Sequence, residues 1–432
     1  MPGMKKLQGA LAVMMLAAVG GATLAQTPEA TTLSVPGRGN SAPWVAAHGR
    51  TVAVVWAAAA GSASDIFVAI SRDEGVAFGA PVQVNRLAGE ARVGGEIPPR
   101  VALHARPGRA TPDVVVAWNA KTAGTEIKVA RSEDGGATFG MPVSLQGPGA
   151  AGDRGWHSLA LDDHGVAHVL WLDHRGMAAA KGEHPHKGEH DGVAMAQRSG
   201  LYYATFGPRA SADRQLTPGV CYCCKSAVVA LPGGLLLAAW RHVYPDNMRD
   251  IAFAISRDGG GTFSAPARVS ADGWSINGCP DDGPALAADA DRRVHVVWPT
   301  VIPGDSPTGA LFHAALGDDG HFSARTRIPT LGSPKPSHPQ VTLDPAGRLY
   351  TAWDEILDGV RTAAYSVADR SGGALRFGAA QRLAPGPGPS QYPVMAPLPQ
   401  GVIAVWTAGA PGTSTIAVRR LPASPAASSR GR

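Results

Sequence analysis

The sequence predicts an all-β fold of radially repeated four-stranded sheets, on three observations. A unit recurs along the chain: a short apolar strand, a Gly- or Asp-bearing turn, then an alternating strand that ends in Trp, as in residues 158–171 and 340–353. Seven such tryptophans, Trp56, Trp118, Trp171, Trp240, Trp298, Trp353 and Trp406, follow one another at intervals of 53 to 69 residues. Gly and Pro number 54 and 36 among 432 residues, enough to punctuate many short strands with turns.

Each interval also holds a third strand, such as Asp65 to Ser71, and usually a fourth, such as Pro81 to Asn85. Four short strands in roughly 55 residues make one blade of a β-propeller. Such a unit cannot bury both faces alone, so the blades stack into a ring. Seven units predict seven blades, with six and an irregular segment as the alternative. After Trp406 a third strand follows, Thr415 to Arg419, but no fourth. The segment Thr31 to Val35 supplies the missing strand, so the two ends of the chain close the ring in one blade.

Residues 26–422 are therefore read as a single propeller domain, and the Ser-, Ala- and Pro-rich residues 423–432 as a disordered tail. Residues 1–25 read as a signal peptide: Lys5 and Lys6, an apolar run from Leu11 to Leu24, and a small-residue end at Ala25. Export places the protein in the periplasm or outside the cell, where disulfides persist. No later stretch approaches about 20 apolar residues, so no membrane span is expected after cleavage. A formal charge of +5 without a basic run excludes a nucleic-acid partner.

The turns between third and fourth strands share a signature. Residues 132–139 and 256–263 both read S-x-D-x-G-x-T-F, and residues 71–78 are a third copy with Ala77 in place of Thr. Residues 316–322 are a worn fourth. This signature resembles the Asp box, or BNR repeat, of the sialidase-like propeller superfamily. Its physics is structural: the Asp carboxylate accepts backbone N–H groups across the turn, and Gly supplies a left-handed conformation. The resemblance implies, for an active sialidase, three arginines on a sugar carboxylate, a Tyr nucleophile helped by Glu, and an Asp acid/base. Its first Arg belongs in an Arg-Ile-Pro run, but here Glu96 precedes Ile97 and Pro98. Tyr392 is available as a nucleophile and Arg100, Arg154, Arg175 or Arg241 as anion binders, without a convincing triad.

Counting back from each Trp aligns the inner-strand starts, which carry Trp44, Trp156-His157, Cys223-Cys224-Lys225, Asp281-Asp282, His338 and Tyr392. In a propeller these starts share a face with the loops after the second strands, here Asp173-His174-Arg175, Arg241-His242 and Asp354-Glu355. That face also gathers the four cysteines, Cys221, Cys223, Cys224 and Cys279. A polar insertion between Met177 and Met195 adds His184, His186 and His190. Thiolate and imidazole suit Zn²⁺ or copper, whereas Mg²⁺ and Ca²⁺ prefer oxygen.

The candidate metal ligands are thus Cys221, Cys223, Cys224, Cys279, His157, His174, His184, His186, His190 and His338. The competing reading is two disulfides, with Cys279 paired to one of the three; one disulfide and two thiols is also open. The reading favoured by the sequence is an exported, non-hydrolytic propeller that binds copper or zinc. The alternatives are a divergent exo-sialidase or glycan-binding propeller, and a protein-interaction scaffold with disulfide-bonded cysteines. If the chain is an enzyme, a glycoside hydrolase is expected.

Overall fold

The computed structural model describes residues 30–121, 124–147, 151–179, 192–208, 210–278, 280–304, 307–371 and 374–422. The expected leader and tail, Cys279, and the insertion histidines His184, His186 and His190 lie outside the described residues.

Seven antiparallel sheets form, one for each tryptophan. Blade one comprises Gly39–His48, Thr51–Ala60, Ala63–Ser71 and Val82–Gln83. Blades two to six begin at Arg100–His104, Arg154–Leu161, Ala227–Leu231, Ala285–Ala288 and Ser337–Leu343. Blade six gains a fifth strand, Gln381–Arg382, on the edge of Val360–Ser371. Blade seven, which begins at Ser390–Pro397, is completed by Thr31–Leu33 from the other end of the chain, with Thr31 opposite Val418. First strands of successive blades touch all the way round, blade seven against blade one included. The ring is closed and seven-bladed.

Each closing tryptophan lies on the second strand of its blade and is fully buried. It packs on the preceding blade: Trp56 with Val394 and Val405, Trp118 with Val55 and Val68, Trp298 with Leu237 and Phe253. Twisted sheets leave a wedge between neighbours, and one indole per blade fills it. Truncating one of these to Ala costs about 3–5 kcal/mol. The core is therefore a set of interblade layers.

The two ends of the ring differ in construction. At one end are the S-x-D-x-G turns. Asp134 and Asp258 each accept the backbone N–H of Thr138 or Thr262 at 2.9 Å and its hydroxyl at 2.6 or 2.7 Å. Gly136 and Gly260 take φ of +91° and +86° and donate their N–H to Ser132 and Ser256 at 2.8 and 2.9 Å.

At the other end, four inner strands carry a register shift near their starts. The bulged residues Ala42, Trp156, His338 and Tyr392 all have φ between +53° and +56°, and Asp281 ahead of blade five has +52°. Bulges re-aim side chains, and left-handed non-glycine residues persist only where their surroundings hold them. In blade one the bulge falls on Ala42. Trp44, which the alignment placed at this position, lies two residues further on, with the Arg100 guanidinium 3.6 Å from its ring centroid. Among the described residues no helix is long and apolar enough to cross a membrane.

Candidate metal centre at the mouth of the ring

Residues 221–224 lie between the outer strand of blade three, Arg214–Pro218, and the inner strand of blade four. The Cys221 N–H donates to the Arg241 carbonyl at 2.9 Å, which ties the stretch to the end of its blade's second strand. A short helix from the insertion, Gly192–Gln197, covers it: Ala196 and Val193 pack with Cys221, Cys223, Cys224 and Val243. The sulfurs of Cys221 and Cys224 are 3.4 Å apart, and Cys223 lies 3.9 and 4.0 Å from them. All three residues are buried. Cys221 and Cys224 are free thiols and Cys223 is disulfide-bonded, the mixed arrangement among those the sequence left open.

The environment separates the two thiols. Cys224 donates its S–H to Cys221, and that bond draws the Cys221 thiol down to about 7 against the cost of burial. Arg249 and Arg241 assist, with Arg249 Nη1 3.2 Å from the Cys221 sulfur. Burial pushes Cys224 up, and its sulfur accepts the Asp282 N–H at 3.4 Å. The sequence reading did not single out Arg249. It enters from the loop between the second and third strands of blade four, and no local pattern marks it.

Beside the cysteines lies a buried ion pair, Lys225 Nζ to Glu96 Oε1 at 3.0 Å, with the Lys225 N–H on the other oxygen at 2.8 Å. Glu96 thus occupies the place of the expected first arginine and spends its charge inside the protein.

Further round, burial raises Asp282 to about 6, and its Oδ1 accepts the His338 N–H at 2.9 Å. His338 Nδ1 meets Asp354 Oδ1 at 2.9 Å, and Asp354 also takes Arg361 at 2.5 Å and the Tyr392 N–H at 2.7 Å. Burial opposes protonation of His338, but the Asp354 charge and hydrogen bond outweigh it and raise the imidazole. The Tyr392 ring stands edge-on to His338, centroids 4.7 Å apart, and lies against Gly95, where a Cβ would come within 2.0 Å of it.

The remaining candidates are dispersed. His157 is fully buried with Nε2 3.2 Å from the Ala117 carbonyl, and burial holds it down at about 3. His174 packs on Trp156 at 5.3 Å; burial lowers it to about 4, and its Nε2 has no hydrogen-bond partner among the described residues. The four arginines considered for anion binding are engaged internally. Arg154 pairs with Asp173, and Arg175 with Asp173 and Asp213. Arg241 donates to three backbone carbonyls, and Arg100 donates to the His157 carbonyl beneath Trp44.

No protein-family model matches the chain, and no curated protein matches it. Solved structures do. The polysaccharide lyase Uly1 is similar with a TM-score of 0.52 at 10% identity, over 88% of this chain and 90% of that one. A protein of unknown function from Dyadobacter fermentans is similar with a TM-score of 0.49 at 13% identity, over 92% and 99% of the two chains. The Hadza microbial sialidase Hz136 gives 0.48 at 15%, over 84% and 74%. The chain has a seven-bladed propeller fold, and its likeness to Uly1 is one of fold. At these identities the likeness is one of architecture, and fold alone does not carry an activity.

Proposed function

We propose that this is an exported, non-hydrolytic propeller whose cysteine cluster, once reduced, binds a soft or borderline metal ion, copper or zinc. The observation that carries the reading is the sulfur spacing. Zn–S bonds of about 2.3 Å in a tetrahedral site put sulfurs about 3.8 Å apart, and these three are 3.4, 3.9 and 4.0 Å apart. Thiolate is the ligand such ions prefer, and Arg249 and Arg241 offset the charge of the sulfurs. Three-sulfur binding requires Cys223 to be released from its disulfide. The internal engagement of Glu96 and the four arginines supports the absence of a sugar-carboxylate clamp. The pattern of residues 1–25 supports export to the periplasm or beyond.

Elemental analysis tests this on protein purified without a metal-chelating tag, reduced with a phosphine, loaded and desalted. About one equivalent of copper or zinc is expected, lost in Cys221→Ser and Cys224→Ser; retention below about a tenth of an equivalent overturns the reading.

A second reading, glycan processing, is favoured by one observation: Tyr392 and the Asp354-held His338 meet at the mouth. It predicts turnover of a fluorogenic glycoside that Tyr392→Phe abolishes.

A further inference from the structure

A cavity of about 60 Å³ lies on the axis of the ring, lined by residues from the first strands of blades one to six. One water needs about 10–15 Å³, and an organic ligand about 300 Å³ or more. The occupant that fits is water or an ion of a few atoms.

Arg100, on the wall of this cavity, decides between them. It is 2% exposed. Its Nε donates to the His157 carbonyl at 3.0 Å, and the Trp44 ring covers one face of the guanidinium at 3.6 Å. Its Nη2 is buried and has no hydrogen-bond partner among the described residues. The carboxylate whose charge acts on Arg100 is Glu96, and Glu96 is already bonded to Lys225 at 3.0 Å. A guanidinium stays charged in proteins, and a buried cation without a close counter-charge is costly. Water in the cavity would accept a hydrogen bond but bring no charge. An anion brings both.

More donors meet at the same place. Ser158 and Ser226 line the cavity with their hydroxyls 3.2 Å apart. Ser226 gives its proton to the Trp156 carbonyl at 3.1 Å, which leaves the Ser158 proton free to turn towards a ligand. Gln340 of blade six is also on the wall, and its amide carries two N–H donors.

We propose that the axial cavity is a binding site for a small monovalent anion, chloride or another halide, held by Arg100 and Ser158. Bound there, the anion links the first strands of blades two and three at the centre of the ring, so it stabilises the fold. The site uses none of the sulfur ligands and stands whether or not the cluster takes a metal.

The full-length protein, held with a chelator, is melted in mixtures of sodium chloride and sodium gluconate at constant ionic strength. Gluconate is too large for the cavity. The melting temperature should rise by about 1–2 °C for each tenfold increase in chloride above its dissociation constant. Arg100→Met should melt at a temperature that does not respond to the exchange. Wild-type crystals grown in sodium bromide should show an anomalous peak in the cavity beside Arg100 Nη2, an arm that needs no variant to fold. Wild-type melting that is indifferent to chloride, an Arg100→Met variant that keeps the response, or bromide found only on the surface with water beside Arg100 overturns the proposal.

Discussion

Aspartate serves opposite ends at the two faces of this ring. On the turn face Asp134 and Asp258 are exposed to solvent, and hydrogen bonds from Thr138 and Thr262 four residues ahead hold both at about 2. On the mouth face Asp282 and Asp354 are fully buried, and their partners come from other strands and other blades. Burial raises Asp282 to about 6, while His338 and Arg361 outweigh burial and hold Asp354 low. A carboxylate satisfied within its own turn closes a hairpin. One that depends on distant groups ties blades together around a site, and its charge state answers to that site.

The contrast is tested most severely by the Glu96–Lys225 pair, buried at 2% and 4% side-chain exposure. Removing one partner, by Glu96→Gln or Lys225→Met, should cost about 3–5 kcal/mol in denaturant melts, because the other charge is left buried. The joint replacement Glu96→Leu/Lys225→Met should recover most of that loss. A double variant as unstable as the two singles combined would break the view that the mouth depends on pairing across blades.

A middle-sized effect is the pH dependence, which should have opposite signs on the two faces. Asp134 and Asp258 are depressed below the usual carboxylate value of about 3.9, so their stabilisation is present above it and is lost as pH falls towards about 2. Asp282 is raised, so its contribution is fully present below about pH 3.9 and is lost as pH rises through about 6. Melts from pH 2 to 7 should show Asp258→Asn flattening the acid limb alone and Asp282→Asn flattening only the fall between about pH 4 and 6. Both variants changing the same limb would erase the distinction.

The smallest effect belongs to the turn hydroxyls. Thr262→Val removes one exposed bond to Asp258 and keeps the backbone bond. A shift of less than about 2 °C in melting temperature is expected. A much larger shift would mean that these turns carry more of the fold than their exposure implies.

The blades were legible because their signals are local. Strand alternation, the turn glycines and the seven tryptophans repeat within each unit, and the unpaired strand after Trp406 pointed to a partner at Thr31 to Val35, of which Thr31–Leu33 pairs. The mouth was legible in part: counting back from the tryptophans placed His338 and Tyr392 at equivalent positions, where both prove to be left-handed bulge residues. In blade one the bulge falls on Ala42, and Trp44 lies two residues beyond it.

The sequence by itself determined the repeat, the ring and the collection of sulfur and imidazole at one end, since period-two patterning and a fixed Trp register need nothing beyond each blade. Tertiary structure decided what that collection amounts to. Glu96 meets Lys225 across 129 residues, Arg249 reaches Cys221 from a loop, and His157 is turned away to the Ala117 carbonyl. Only the folded ring leaves Cys221 and Cys224 free beside a bonded Cys223. Such pairings depend on which blades meet and how each bulge aims its side chain, and neither is written in the local pattern of any strand.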